Sequence, residues 1–146
     1  MENAIICDLD GTLCNIEHRI SFITNDAKDW KSFYYNMPND SVNNWCFNII
    51  DALAKKGIAI LYVTARPEDY KSISIDWLRR NSCPINGIYM RKSKDNRKDF
   101  IVKKEIYEEN IKDKYDILFC IDDSARVTEM WRSLGLTCLQ CAEGLY

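Results

Sequence analysis

Two pairs of aspartates follow directly on two short apolar runs of this 146-residue chain. Asp8 and Asp10 come at the end of the first run, AIICDL, and Asp122 and Asp123 follow the second, ILFCI. Crowded carboxylates repel one another and stay ionised only where a cation compensates them. Oxygen ligands suit a hard ion such as Mg²⁺, which leaves coordination positions open for phosphate oxygens. The two pairs therefore predict metal-assisted chemistry on a phosphorylated compound.

Hydroxyl and cationic groups accompany these carboxylates. A third apolar run ends in Thr64, Ala65 and Arg66, and a later basic segment contains Lys103 and Lys104. A threonine hydroxyl can donate a hydrogen bond to a phosphoryl oxygen, and Arg and Lys can balance the charge of a phosphoryl group in transfer. The two lysines lie about equally far from the apolar stripe of their predicted helix, so spacing does not choose between them.

The scaffold must bring these strand ends together, and the chain alternates between strand-like and helix-like patterns. Parallel strands joined by right-handed helical crossovers place their carboxyl ends at one edge of a sheet, where such folds bind ligands. We predict an α/β, Rossmann-like three-layer sandwich with a mainly parallel five-stranded sheet. The predicted strands are Ala4 to Leu9, Ile58 to Val63, Gly87 to Met90, Ile117 to Ile121 and Leu136 to Cys141. Helices are predicted from Val42 to Gly57, after Pro67, over Phe100 to Ile111 and before Gly135.

The segment from Cys14 to Asn39 falls outside this alternation and is too long for an ordinary connection. We predict that it forms a small lid after the first strand of a single domain spanning residues 1–146. Within it, Trp30, Phe33, Tyr34 and Met37 follow helical spacing. Such a stripe most often packs a lid onto its core, and the alternative is a platform on which nucleobases stack.

The opening motif resembles the DxDGT signature of the haloacid dehalogenase (HAD) superfamily of phosphohydrolases. Asp8-Leu9-Asp10-Gly11-Thr12 matches that signature without departure. The resemblance implies that Asp8 attacks phosphorus to form an aspartyl-phosphate, while Asp10 acts as general acid and then general base. It also implies that Thr64 and Lys103 hold the phosphoryl group. The implied Mg²⁺ ligands are Asp8, the backbone carbonyl of Asp10, Asp122 and Asp123.

A narrower resemblance is to the 3′-phosphatase domain of phage polynucleotide kinase/phosphatases. It is carried by Arg97 to Ile106, Ile121 to Ser124, Met130 to Arg132, Gly135, His18-Arg19 and Asp29-Trp30. It implies removal of 3′-phosphates from nucleic-acid ends, with substrate contacts from Thr12, His18, Ala65, Arg66 and Arg97. A Gly-x-x-x-x-Gly-Lys-Ser/Thr phosphate loop does not occur in the sequence, so we expect no 5′-kinase activity from it.

The net charge of −2 hides an uneven distribution. The segment from Arg91 to Lys104 holds seven basic and two acidic residues, a local charge of +5 that leaves −7 for the rest. A basic stretch beside the site suits a phosphate backbone, and the alternative is a solvated loop and helix face.

Other functions stay open at this level. The rivals are a phosphatase of free nucleotides or small metabolites, a receiver-like phospho-accepting switch, and an inactive binding module. No apolar run reaches the ~18 residues of a membrane span, and the start Met1-Glu2-Asn3 lacks a basic signal sequence. Seven irregularly spaced cysteines favour reduced thiols, so we expect a cytoplasmic protein, with a viral source consistent with the phage resemblance.

Overall fold

A computed structural model describes residues 1–144 as strands and helices in strict alternation after residue 43. In chain order the elements are β1 (Glu2–Cys7), β2 (Cys14–Asn15), α1 (Ser21–Thr24), α2 (Trp30–Tyr35), β3 (Ser41–Val42), α3 (Asn44–Lys55), β4 (Ala59–Pro67), α4 (Lys71–Arg80), β5 (Gly87–Arg91), α5 (Asp99–Ile106), β6 (Tyr115–Asp122), α6 (Ala125–Ser133) and β7 (Cys138–Gln140). Short 3₁₀ turns cover Met37–Asn39 and Glu68–Tyr70.

The central sheet has five parallel strands in the order β5-β4-β1-β6-β7. Strand β1 lies in the middle, where Ala4 pairs with Ala59 on one side and with Ile117 on the other. Its sequence is a continuous apolar run because both faces of a central parallel strand are covered. The predicted five-stranded parallel sheet is confirmed.

Alternate residues of β1 enter two separate cores. Ile5 and Cys7 belong to one apolar cluster, and Ala4 and Ile6 belong to the other, as the period of two in a strand requires. The first cluster is completed from α3 and α4 by Cys46, Ile50, Trp77 and Leu78. The second is completed from α5 and α6 by Val102, Val127, Met130 and Trp131. The sheet therefore has helices on both faces, and the three-layer α/β prediction is confirmed.

The inserted segment, residues 14–39, begins in a small antiparallel pair of strands. Cys14 pairs with Val42 and Asn15 pairs with Ser41, so the chain leaves and re-enters the fold at one point. The sequence pattern starts a helix at Val42, but the structure starts α3 at Asn44 because Val42 is taken by this pairing.

The helix predicted over residues 100–111 changes type part of the way along. Helix α5 ends at Ile106, and a π-helical turn follows over Tyr107–Ile111, with the Lys112 N–H donating to the Tyr107 carbonyl at 2.9 Å. A π turn holds an extra residue, so apolar positions beyond it no longer project onto the same face as those before it. Among the described residues, no helix is long and apolar enough to cross a membrane.

Candidate active site

The carboxyl ends of β1, β4 and β6 open into one cavity of about 650 Å³. Gly11, at φ +81°, makes the tight turn after β1, and its N–H donates to the Cys14 carbonyl at 3.0 Å. Ser124 caps α6 by accepting a hydrogen bond from the Val127 N–H. The two aspartates before Ser124 therefore lie at the carboxyl end of β6. The residues at or just after the strand ends that line the cavity are Asp8, Asp10, Thr64, Ala65, Arg66, Asp122 and Asp123.

Lys103 lies between two of the buried aspartates. Its Nζ donates to Asp8 Oδ1 at 3.0 Å and to Asp122 Oδ2 at 2.7 Å. The Lys103 side chain is only 3 % exposed. Burial lowers the pKa of a lysine, but Asp122 and then Asp8 outweigh that effect and raise the pKa of Lys103 above its ordinary value. Lys103 is therefore a charged ammonium at neutral pH, at the floor of the cavity.

Asp8, Asp122 and Asp123 form a compact oxygen cluster. Each offers one carboxylate oxygen, and these three oxygens lie within 4.8 Å of one another. Burial, and then the charge of Asp122, raise the pKa of Asp8 well above its ordinary value, although Lys103 acts in the opposite direction. Thr12 donates to the other oxygen of Asp8 at 3.2 Å. The cluster is thus rich in negative charge, and its donors are those that a hard divalent cation prefers.

The structure separates the two lysines that spacing left equivalent. Lys103 follows Val102, which packs into the core, and the Lys103 side chain points into the site. Lys104 is half-exposed, and its Nζ lies 4.0 Å from Glu108. The apolar stripe inferred from the sequence used Tyr107 and Ile111, which lie in the π turn after α5 and so give a wrong phase for α5.

Asp10 is held by two arginines. Arg19 Nη2 and Arg66 Nη2 each donate to Asp10 Oδ1 at 2.6 Å. Both arginines are buried, and both also approach Asp40, at 2.7 Å from Arg19 and 3.7 Å from Arg66. Burial alone raises the pKa of a carboxyl, but Arg66 and Arg19 outweigh it and hold the pKa of Asp10 well below its usual range. Asp10 is therefore ionised at neutral pH.

Sequence reasoning missed two members of this network as site residues. The sequence indicates Arg19 only as part of the His18-Arg19 match, and it gives no indication of Asp40. Arg19 lies in the segment 14–39 that the sequence treats as irregular, and Asp40 follows that segment directly. Neither period nor motif shows which side chains turn inward there. Only the resemblance carried by His18-Arg19 points to Arg19, which otherwise ends the polar run Glu17-His18-Arg19 and has no local signal of its own.

The predicted substrate contacts fall into two groups. Thr64, Ala65, Arg66 and Arg97 line the cavity, although Arg97 is also paired with Asp95 and Glu105. Two further residues are not brought to the cavity wall. Thr12 lies behind Asp8, and His18 contacts Asp40 through Nε2 at 2.6 Å.

The fold and site define a phosphatase of the HAD class. A class C acid phosphatase from Bacillus anthracis shares the fold, with a TM-score of 0.73 at 17% identity over 99% of this chain and 68% of that chain. A chain of the Pnkp1/Rnl/Hen1 RNA repair complex is more similar, with a TM-score of 0.87 at 28% identity over 100% of this chain and 44% of that one.

Residues 2–146 match the family model of the polynucleotide kinase PNKP phosphatase domain, and the chain belongs to that family. A protein of Autographa californica nuclear polyhedrosis virus, whose name assigns it bifunctional polynucleotide kinase/RNA ligase activity, is 25% identical over 135 residues. The match spans 91% of this chain but only 18% of the viral protein. Family membership makes the chain a phosphatase and disfavours the receiver-like alternative.

The arginine network predicts a difference in stability between two arginine truncations. Arg19→Ala leaves Asp10 and Asp40 buried with fewer partners, and we expect it to lower the free energy of unfolding by about 3–5 kcal/mol. Arg97→Ala removes two surface ion pairs, with Asp95 and Glu105, and should change the free energy of unfolding little. Urea unfolding of both variants measures the difference, and equal losses would contradict the structural role given to Arg19.

Proposed function

We propose that the chain is a Mg²⁺-dependent polynucleotide 3′-phosphatase that works through an aspartyl-phosphate on Asp8. The observation that carries this proposal is the buried contact of Lys103 with both Asp8 and Asp122 at the floor of the cavity. We further infer that residues 1–146 form one phosphatase domain, with the segment 14–39 as its lid.

The charge of the oxygen cluster fits a divalent cation. Asp8, Asp122 and Asp123 carry three negative charges when ionised, and Lys103 supplies one positive charge, which leaves −2 (3 × −1 + 1). The ligands of Mg²⁺ in this proposal are those three aspartates and the backbone carbonyl of Asp10. When bound, Mg²⁺ supplies Lewis-acid neutralisation of charge on the phosphoryl oxygens. The all-oxygen set supports Mg²⁺ over the softer metals that prefer Cys and His.

The proposed reaction uses the two motif aspartates in sequence. A carboxylate oxygen of Asp8 forms a bond to phosphorus while the bond from phosphorus to the leaving oxygen breaks. Asp10, which is ionised before substrate binds, takes the proton of the phosphate monoanion and passes it to that leaving oxygen. Water then attacks the phosphorus, Asp10 takes its proton, and inorganic phosphate leaves with Asp8 regenerated. The hydrogen bonds from Arg19 and Arg66 favour ionised Asp10, the form that the second step requires. Lys103 and Thr64 hold the phosphoryl oxygens throughout.

Several observations support a nucleic-acid end as the substrate. The family is that of a polynucleotide kinase phosphatase domain, and the relative with the TM-score of 0.87 belongs to an RNA repair complex. Fewer cations of the basic segment are available to a substrate than its composition suggests, because Arg91, Arg97 and Lys104 are in ion pairs with acidic neighbours. Lys94 and Lys98 line the cavity, where they can meet the phosphates of a polymer.

The cellular setting is also part of the proposal. Cys7, Cys14, Cys46, Cys83, Cys120, Cys138 and Cys141 are free thiols, which supports a reducing, cytoplasmic environment. The relative from a nuclear polyhedrosis virus supports a viral origin.

The two neighbouring lysines provide a matched test of the site. We expect Lys103→Met to lower kcat for phosphate release from an aryl phosphate by about 10²- to 10³-fold, since it removes a charge aimed at the phosphoryl group. Lys104→Met removes a charge from the exposed face of the same helix and should retain wild-type activity. Thermal unfolding of both variants verifies that they are folded. Equal activity of the two folded variants would contradict the assignment of Lys103.

Substrate preference tests the nucleic-acid proposal. We expect kcat/KM to be at least tenfold higher for an oligonucleotide with a 3′-phosphate than for the same oligonucleotide with a 5′-phosphate or for a free 3′-mononucleotide. The Asp8→Asn variant serves as the blank for contaminating phosphatases, and the exposed Asp113→Asn variant as its matched control. A preference for the mononucleotide would instead favour the rival function, a phosphatase of free nucleotides, whose size suits a cavity of about 650 Å³.

A further inference from the structure

A row of aromatic rings runs along one side of the lid segment. Trp30 stacks on Tyr34 with a centroid distance of 5.9 Å and an interplanar angle of 26°, and Tyr34 contacts Tyr70 at 4.7 Å. Phe33 meets Trp30 edge-on at 5.7 Å. Offset and edge-on contacts of this kind are the favoured arrangements of aromatic side chains, so each ring fixes the orientation of its neighbour.

The stripe of Trp30, Phe33, Tyr34 and Met37 has a buried part and an exposed part, and the two parts have different functions. Phe33 and Met37 are buried, and Phe33 lies under the guanidinium of Arg19 at 4.3 Å, so these two residues pack the lid onto the site. Trp30 is 45% exposed. An exposed Trp contributes little to packing, yet its ring is held in place by Tyr34 and Phe33. It is a rigid apolar surface that faces solvent rather than the core.

The exposed ring belongs to the same cavity as the reactive carboxylates. Trp30 and Tyr34 line the cavity whose floor contains Asp8 and Lys103. Basic side chains share its wall: Lys28, whose Nζ lies 5.9 Å from the Trp30 ring centroid, together with Lys94 and Lys98. One cavity thus combines a site for a phosphoryl group, a flat aromatic surface and additional positive charge.

We propose that Trp30 is the platform on which the terminal nucleobase of the substrate stacks while its phosphate is removed. This inference rests on the proposed function. A terminal nucleotide carries a flat base joined through a sugar to the scissile phosphate. The base can therefore stack on Trp30 while the phosphate reaches the carboxylate cluster. Lys94 and Lys98 match the charge of the next backbone phosphates, so the ligand is a polymer end rather than a free nucleotide. Trp30 therefore determines specificity and takes no part in the chemical step.

The test compares two 3′-phosphorylated oligonucleotides that differ only in whether the terminal residue carries a base or is abasic. Glycerol phosphate and a free 3′-mononucleotide are the small substrates. The variants are Trp30→Ala, Trp30→Phe and, as the matched control, Trp45→Ala. Trp45 is 44% exposed but lines a different cavity together with Ile49 and Leu139.

We expect the wild type to prefer the base-bearing end over the abasic end by about tenfold in kcat/KM, the size of one base–aromatic stack. Trp30→Ala should abolish this preference and leave the rates on the abasic end and on glycerol phosphate unchanged. Trp30→Phe should retain most of the preference, and Trp45→Ala all of it. Retained activity on glycerol phosphate also verifies that each variant is folded.

Three outcomes would overturn the proposal. Equal losses on the base-bearing and abasic ends in Trp30→Ala would mean that Trp30 only supports the lid. Equal efficiency of the wild type on the mononucleotide and the oligonucleotide, with the same dependence on Trp30, would exclude the polymer end as the ligand. If the wild-type protein hydrolyses no oligonucleotide faster than glycerol phosphate, the proposed function itself fails. That result is distinguishable because it needs no variant.

Discussion

The charge balance around one buried lysine is the constraint on which the rest of the structure depends. A parallel sheet brings Asp8 from β1 and Asp122 from β6 to the same edge because these strands are neighbours. Two buried carboxylates that are close enough to share one lysine cannot both be ionised without a cation between them. Lys103 is that cation, and α5 must pack on the sheet for it to arrive there, with Val102 and Ile106 anchoring the helix. Formation of the cavity therefore depends on the packing of α5 against the core.

A second charge network joins the inserted segment 14–39 to the sheet. Asp10 follows β1, Arg66 lies on β4, and Arg19 and Asp40 belong to the inserted segment and its return to the fold. Breaking such a buried network leaves charges without partners, so these four side chains hold segment 14–39 in one position against the sheet. The same contacts keep Asp10 ionised. The position of segment 14–39 and the ionisation of Asp10 therefore have a common physical cause.

Periodicity and motif were sufficient to predict the sheet and the meeting of the strand-end carboxylates at one edge of it. Apolar runs located all five strands, and the strand-end aspartates and Thr64 were predicted at one edge, where the structure brings them together. Local patterns were insufficient where long-range contacts decide. The choice between Lys103 and Lys104 depends on a π turn that breaks the helical period, and the inward orientation of Arg19 depends on a charge network with no local signature. The contact of His18 with Asp40 went unpredicted for the same reason.

The central claim is that the cluster of Lys103 with Asp8, Asp122 and Asp123 makes Asp8 the residue that accepts the phosphoryl group from the substrate. The most direct measurement is to mix the enzyme with a radiolabelled 3′-phosphorylated oligonucleotide and Mg²⁺, quench in acid within one turnover, and map the label by peptide mass spectrometry. The account predicts an acid-stable, hydroxylamine-labile phosphoryl group on the peptide that contains Asp8. Release of phosphate with no label on the protein, or label on any other residue, would contradict it.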